Sequence, residues 1–472
     1  MSLTRFRRKS VVLLAAAATA TLALAGCAAS TSSSSSSAPS TGTSTAGSSA
    51  SSAASASTAG LSTTSACVNG KVKFGIAYIS DGAVAAAEAS GKTISAQGAA
   101  QAANAIQSQF TIGLNYLNAH GGWLGCTVVP VYFQFHIVSS DYNTEDQQMC
   151  LDFSSAKVFA AINWITNDTP LLPQCLSSHG IPIIWDSDQL QLDNAMYQQY
   201  AGYLYQPWGF SYDRWGDFVQ ALNNVGVLPK GTKVGIVIAD NGAGAETYLA
   251  NSILTPKFKA LGDTVQTFTY TNIAGLSDLS EVATEMSAAV LKFKSAGIQD
   301  VMFTPSASVS SLEFSTAANS QAYFPAYIMN SLETPGAYLT TQDKTKALFL
   351  SYLPAKDDVT PEPASVLASV PANPAYNLCA KTIYKGVSEP PTDFCDAMFF
   401  IQDALKHGST ISVAALKSGV DALGTSFDSA NGYGPTDFGP GVYDGGTELQ
   451  VQKWDSATSA FDYVGSIQKI SG

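Results

Sequence analysis

Few residues of this 472-residue chain stand at spacings that could do chemistry. Asp186 and Asp188 are two acids directly after an apolar run. Such a pair suits general acid/base work, ligand contact or capping of a helix N-terminus. Gly242-Ala243-Gly244 follows one strand-like run and opens a helical one, as a dinucleotide-binding turn would. The third position is Thr247 rather than glycine, which leaves a tight β-to-α turn at the ligand-facing edge of a sheet. Gly91-Lys92-Thr93 has the end of a phosphate loop but not its leading glycine or a preceding strand. Gly-x-Ser-x-Gly, His-Glu-x-x-His and an EF-hand loop do not occur. His120, His136, His179 and His407 are scattered and no Cys-x-x-Cys exists, so neither a metal nor a cofactor is expected. Nothing here argues for catalysis. The expectation is a protein that is not an enzyme, with a secreted hydrolase as the remote alternative.

The elements around these residues alternate. Val72–Ile79 is strand-like. Gln97–Ala119 is helical, with Ala99, Ala103, Ile106, Phe110, Leu114 and Leu117 on one face. Strands follow at Thr127–Phe135, Val158–Asn163 and Ile181–Trp185, with helices at Thr144–Ser155 and Pro173–His179 between them. The order then repeats. Helices are predicted at Trp208–Val225, Ala245–Leu261, Glu281–Ala296 and Ser308–Ala318, and strands at Lys233–Ala239, Thr264–Tyr270, Asp300–Thr304 and Ala326–Met329. Asn377–Tyr384, Cys395–His407 and Ser412–Leu423 read as helices, and Gly441–Val464 as a strand-like, turn-rich tail. Apolar strands in βαβα order indicate parallel sheets covered on both faces. The fold class is α/β, with two doubly wound parallel-sheet lobes.

Six cysteines after Cys27 are even in number, which suggests disulfides in an exported chain. Cys67 and Cys126 both precede strands of the first sheet, so they share one edge. Cys150 and Cys175 lie on helices flanking the third strand, and Cys379 and Cys395 on consecutive helices. These three pairs are the predicted bridges, with free buried thiols as the alternative.

The N-terminus reads as an address. Arg5 to Lys9 are basic, and Val11–Ala25 is apolar but short for a membrane span. It ends in Leu24-Ala25-Gly26-Cys27, which resembles a bacterial lipobox, where the Cys27 sulfur takes a lipid. The alternative is an ordinary signal peptide with a chance cysteine. After Cys27, residues 28–66 are almost all Ser, Thr, Ala and Gly with no charge, a composition that cannot offset its ordering entropy. As a coil of about 40 residues it spans roughly 35 Å. The expectation is a protein on the outer face of the cytoplasmic membrane, held in the bilayer through Cys27 alone.

Composition narrows the partners. The chain is 46% hydrophobic and 13% charged, with a net charge of -12. Four of its 24 basic residues lie in the first ten, so the remainder carries 20 basic and 36 acidic residues. Such an acidic body does not build a phosphate-tracking surface, so nucleic acid is excluded as a partner.

This organisation resembles something known. Leu117-Asn118-Ala119-His120-Gly121-Gly122-Trp123-Leu124-Gly125 is similar to the helix-ending Asn-Ala-x-Gly-Gly stretch of branched-chain amino-acid receptors of ABC importers. Gly434-Pro435 with Phe438, and Val234–Asp240 followed by Asn241-Gly242, resemble the same family, whose fold is the type I periplasmic-binding fold. The resemblance implies three crossovers, near Tyr203–Gln206, Asn330–Thr334 and Tyr433–Asp437. It implies a signal peptide at 1–26, a tether at 27–66, the first lobe at 67–204 and 333–434, and the second at 205–332 and 435–472. A small polar solute, amino-acid-like or related, is then held between the lobes of a monomer and delivered to a membrane permease. A receptor of the same fold coupled to a signalling partner is the alternative.

The ligand contacts this implies are Ser80, Asp81, Trp164, Thr166, Asn167, Asp168, Asp186, Ser187, Asp188 and Trp208, with Asn241, Ala243, Ser306, Ser308, Ser331 and Glu333 from the second lobe. Trp185 lies near these strand ends as well. Asp186-Ser187-Asp188 stands where the family has small hydroxyl residues and alanine, and Ala243 where it often has Tyr. Extra acids and nearby tryptophans suit a cationic, polyol or aromatic ligand. Helix capping by the acids and core packing of the tryptophans are the simpler readings.

Overall fold

A computed structural model describes residues 60–79, 81, 96–137, 141–164, 169, 171–186, 192–228, 230–240, 244–271, 278–304, 309–331, 333, 339–354, 373–387, 390–457 and 459–470. Cys27, and so its lipidation, lies outside them, as do residues 1–59 of the leader and tether.

The first sheet is built from β1 (Lys71–Ile79), β2 (Thr127–Phe135), β3 (Ala160–Trp164), β4 (Ile183–Ile184) and β5 (Leu204–Tyr205), in the order β2-β1-β3-β4-β5. All its pairings are parallel. Helices α1 (Ala96–Ala119), α2 (Tyr142–Ala156), α3 (Leu171–Ser178) and α4 (Asn194–Gln199) connect the strands. Burial on both faces explains the apolar run in β1, where Phe74 to Tyr78 are all buried. Gly75 lets Phe153 of α2 lie against the strand, since a Cβ there would stand 3.0 Å from its ring. Gly121 and Gly122 end α1 at positive φ, and a Cβ on Gly122 would lie 2.1 Å from the Cys126 carbonyl.

The second sheet runs β12-β11-β10-β9-β8-β6-β7. Its strands are β6 (Lys233–Asp240), β7 (Thr264–Thr271), β8 (Asp300–Phe303), β9 (Ala326–Asn330), β10 (Leu348–Ser351), β11 (Glu448–Asp455) and β12 (Ala460–Lys469). β6 to β10 are parallel, whereas β11 and β12 form an antiparallel edge. Gly235 repeats the device of Gly75, with Phe293 against it. The predicted helix 245–261 is three pieces: α5 (Ala245–Tyr248), a π-helical stretch Leu249–Leu254 and α6 (Thr255–Ala260). Helix α7 (Leu279–Ala296) completes the layer that covers β6 and β7.

The structure moves two expected boundaries. Residues 331–353 stay with the second sheet, because β10 pairs with β9 and Ser331 N donates to Leu350 O. The chain is therefore still in the second sheet beyond 330–334, and residues 355–372 lie outside the described residues. The run Ala347–Leu353 is short and apolar, and periodicity alone cannot type such a segment. The last residues of the expected tether are also packed. Leu61 lies against Gly202, Ser62 O accepts from Ala414 N, and Ala66 N donates to Ile411 O. Leu61 is the one bulky apolar side chain between Cys27 and Cys67, and it finds core to bury against.

After residue 372, α8 (Thr392–Lys406) and α9 (Val413–Leu423) return to the first lobe. Trp123 Nε1 donates to Met398 O at 3.1 Å, and the rings of Phe110 and Phe394 lie 4.8 Å apart. Cys67–Cys126, Cys150–Cys175 and Cys379–Cys395 are disulfide-bonded, with Cα separations of 6.2, 6.1 and 6.1 Å.

Helices α8 and α9 meet at Gly419, where a Cβ would stand 1.9 Å from the Ala404 carbonyl oxygen. Gly419→Ala gains about 1 kcal/mol in helix propensity. The forced separation of two backbones outweighs that gain, so a net loss of about 2 kcal/mol is expected in urea denaturation.

Candidate functional site

The two lobes are joined by backbone. Gln206 N donates to Tyr443 O, Gly445 N to Gln206 O, and Gly446 N to Gly209 O, each at 2.9 Å. The third crossing thus runs at 443–446, beyond the expected 433–437. Gly445 and Gly446 are required for space: a Cβ would lie 2.5 Å from Pro207 O or 2.8 Å from Gly209 O. Arg214, the only arginine after Arg8, closes this hinge. Its Nη1 donates to the Asp444 carboxylate at 3.2 Å and to the Asp444 carbonyl at 3.2 Å, and its guanidinium lies 5.1 Å from the Phe210 ring centroid. Asp444 also accepts from Ser211 N at 2.6 Å. Burial raises the Asp444 carboxyl, and Arg214 pulls it back only in part.

Parallel sheets place ligands beyond the C-terminal ends of their strands. The segment after β4 meets the start of the second lobe. Asn194 N of the first lobe donates to Asp213 Oδ2 at 2.8 Å, and Tyr212 N donates to Leu192 O at 2.9 Å. Asp81 follows β1, and Asp278 precedes α7 in the second lobe. Both charges act on Tyr142, at the start of α2, whose hydroxyl is raised above its ordinary range first by burial and then by these two acids. Glu246 lies in the first turn of α5. Burial pushes its carboxyl up to about 8, against a hydrogen bond from Tyr212, with Asp240 and Asp193 of the first lobe adding to the rise. The Tyr212 hydroxyl donates to Glu246 Oε1 at 3.1 Å.

Of the sequence-predicted contacts, Asp81 and Asp186 stand at strand ends. Asp186 N donates to Oδ1 of the buried Asn163 at 2.8 Å, which ties the end of β4 to β3. Trp164 closes β3 opposite Tyr78. Trp208 lies among the crossovers, buried beside a small cavity lined also by Tyr352, Tyr433, Thr436 and Glu448. Trp185 is core. Ser331 Oγ accepts from the Tyr352 and Leu353 amides at 3.0 Å each, and Glu333 Oε2 accepts from the Asn330 amide and side chain at 3.0 and 2.8 Å. These two residues brace the end of β9. Ser80, Thr166, Asn167, Asp168, Ser187, Asp188, Asn241, Ala243, Ser306 and Ser308 lie outside the described residues.

Sequence reasoning missed Tyr142, Glu246, Asp278 and the Arg214–Asp444 pair. A sole arginine after the first ten residues was the available signal for the last. Nothing local marks Tyr142 or Asp278.

No protein-family model matches the sequence, and comparison with curated proteins finds no significant match. Solved structures do match in shape. The isoleucine complex of the branched-chain amino-acid transporter substrate-binding protein LivJ from Streptococcus pneumoniae is 17% identical, with a TM-score of 0.57, over 85% of this chain and 99% of that one. A fatty acid ABC transporter substrate-binding protein from Thermomonospora curvata is 14% identical, with a TM-score of 0.57, over 87% and 95%. An ABC-transporter solute-binding protein from Rhodopseudomonas palustris BisB5 in complex with 3,4-dihydroxybenzoic acid is 11% identical, with a TM-score of 0.57, over 85% and 98%. The fold is therefore the two-lobed α/β fold of type I periplasmic binding proteins, the class of protein to which these ABC-transporter receptors conform.

Two expected outcomes follow from the hinge and from the buried acid beside it. Arg214→Met strands the Asp444 charge and costs about 3–5 kcal/mol in chemical denaturation, and Arg214→Met with Asp444→Leu recovers most of that loss. Burial pushes the Glu246 carboxyl up to about 8 from an ordinary value near 4.5. The folded state therefore binds the extra proton between these values, and stability falls as pH rises through that window. Glu246→Gln removes this contribution, so its melting temperature declines less than that of the wild type between pH 5 and pH 8.

Proposed function

We propose that the chain is an extracytoplasmic solute receptor of an ABC importer. It captures a small polar solute between its lobes and delivers it to a membrane permease, with no chemistry done on the solute. One observation carries this reading: two sheets built mainly of parallel strands are joined by crossover segments at a buried hinge. A solute touching both lobes favours the closed arrangement through contacts unavailable to either lobe alone. The structural neighbours support the role, since they are ABC-transporter binding proteins whose ligands include isoleucine and 3,4-dihydroxybenzoic acid.

Anchoring through a lipidated Cys27 belongs to this proposal. The basic leader, the apolar stretch and the small-small-Cys ending support it. Among the described residues no helix is long and apolar enough to cross a membrane. The strand-end residues predicted from sequence, joined by Tyr142 and Asp278, are the proposed solute contacts.

The test is thermal denaturation of the detergent-solubilised full chain against amino acids, amines, sugars and aromatic acids, followed by small-angle scattering with any compound that acts. A solute that binds only the folded state adds about 2.7 kcal/mol at a hundred times its Kd. The expected result is one stabilising class that also reduces the radius of gyration. Chemical turnover of that compound would instead indicate an enzyme.

A further inference from the structure

We propose that the end of the tether is a hinge strap. Residues 60–66, docked through Leu61 beside α9, steady the third crossing at 443–446, so docking or release of this end changes the freedom of the hinge.

The first support is how the strap is held. At one end Cys67 is bonded to Cys126, and Ala66 N donates to Ile411 O at 2.7 Å. At the other, Ser62 O accepts from Ala414 N at 3.0 Å. Ala414 lies in the first turn of α9, where backbone N–H groups have no acceptor within the helix. The N-cap Ser412 hydroxyl accepts from Ala415 N, and the strap takes the N–H beside it. Leu61 is half-buried against the core. Its Cδ1 lies 2.9 Å from the point where a Cβ on Gly202 would stand, and Lys417 Cδ lies 3.4 Å from the same point. Leu61 and the stem of Lys417 therefore share the space over Gly202.

The second support is what Lys417 touches at its other end. Its Nζ donates to Asp421 Oδ2, one turn on along α9, at 2.6 Å and stands 5.7 Å from the Tyr443 ring centroid. Tyr443 opens the third crossing. Its carbonyl accepts from Gln206 N at 2.9 Å, and its ring lies 5.8 Å from that of Tyr205. The next residue, Asp444, holds Arg214. Gly202 stands only four residues before Gln206, so the surface under Leu61 leads into the same backbone bonds through β5. A lysine fixed over a ring loses rotamer freedom, and packing of its apolar stem offsets part of that cost. Leu61 supplies such packing. Without it the stem is uncovered and the ammonium is less firmly kept over Tyr443.

The experiment is hydrogen exchange read by mass spectrometry on the detergent-solubilised full chain. No solute is added, so the result does not depend on the receptor reading. The wild type is compared with Leu61→Ser, Lys417→Met and, as a control at an exposed apolar residue, Val68→Ser. Leu61→Ser is expected to speed exchange about tenfold at Ala414 and at the hinge amides of Gln206, Gly445 and Gly446, with β1 and β6 unchanged. Lys417→Met keeps an apolar stem over Gly202 and loses the ammonium, so it is expected to speed the hinge amides alone. Val68→Ser is expected to change neither region. Faster exchange at Ala414 in Leu61→Ser, with hinge amides as in the wild type, would make the strap a local contact and overturn the proposal. A rise spread evenly over the first lobe, β1 included, would make Leu61 ordinary core and overturn it too. Hinge amides unmoved by Lys417→Met would overturn the route through α9.

Discussion

The structure depends on how two sheets are held at one hinge. Backbone bonds between 206–209 and 443–446 carry the register, and the buried Arg214–Asp444 pair fixes it. Burying both charges is costly, and their mutual attraction offsets that cost only with added hydrogen bonds. Here Ser211 N and the Asp444 carbonyl supply them. The pair joins two segments 230 residues apart in sequence, so it can form only when both of those segments are in place. The aromatic packing of Phe210, Trp215, Phe218 and Tyr352 around it excludes water. Backbone contacts at Gly445 and Gly446 leave little room for alternative registers.

The same arrangement explains why acids collect between the lobes. Parallel strands all end on one edge, and the helices that follow begin there. N-terminal helix positions favour carboxylates, as Asp193 at the start of α4 illustrates by accepting from Met196 N. When two such edges face one another, the capping acids of both are brought into one space. Burial then raises Glu246, and the opposing edge contributes through Asp193. A feature that stabilises each lobe separately becomes an electrostatic property of the pair. The basic strand starts at Lys73 and Lys233 complete the asymmetry.

Much of the fold was legible because each strand is buried on both faces. Val72–Ile79, Thr127–Phe135 and Lys233–Ala239 stand out as apolar runs, and α1 as a face of three-four spacing. The disulfide partners followed from which strand edges and helices neighbour one another. Leu348–Ser351 was not legible: the short, largely apolar run between Lys346 and Pro354 carries no period. The ends of the expected tether were misjudged at Leu61 for a related reason. A single apolar side chain in a Ser-rich stretch carries little weight until a surface beside Gly202 receives it.

The sequence by itself determined the α/β alternation, the leader with its lipobox-like ending, the acidic body and the strand-end positions of Asp81 and Asp186. These follow from local patterning, which needs no knowledge of distant contacts. Tertiary structure alone decided that Tyr142 lies under the charges of both Asp81 and Asp278, that Ser331 and Glu333 brace β9, and that Trp208 belongs to the hinge. Each depends on which segments meet across long stretches of chain. No spacing records that, because a side chain's solvation and charge environment are set by neighbours supplied from elsewhere in the fold.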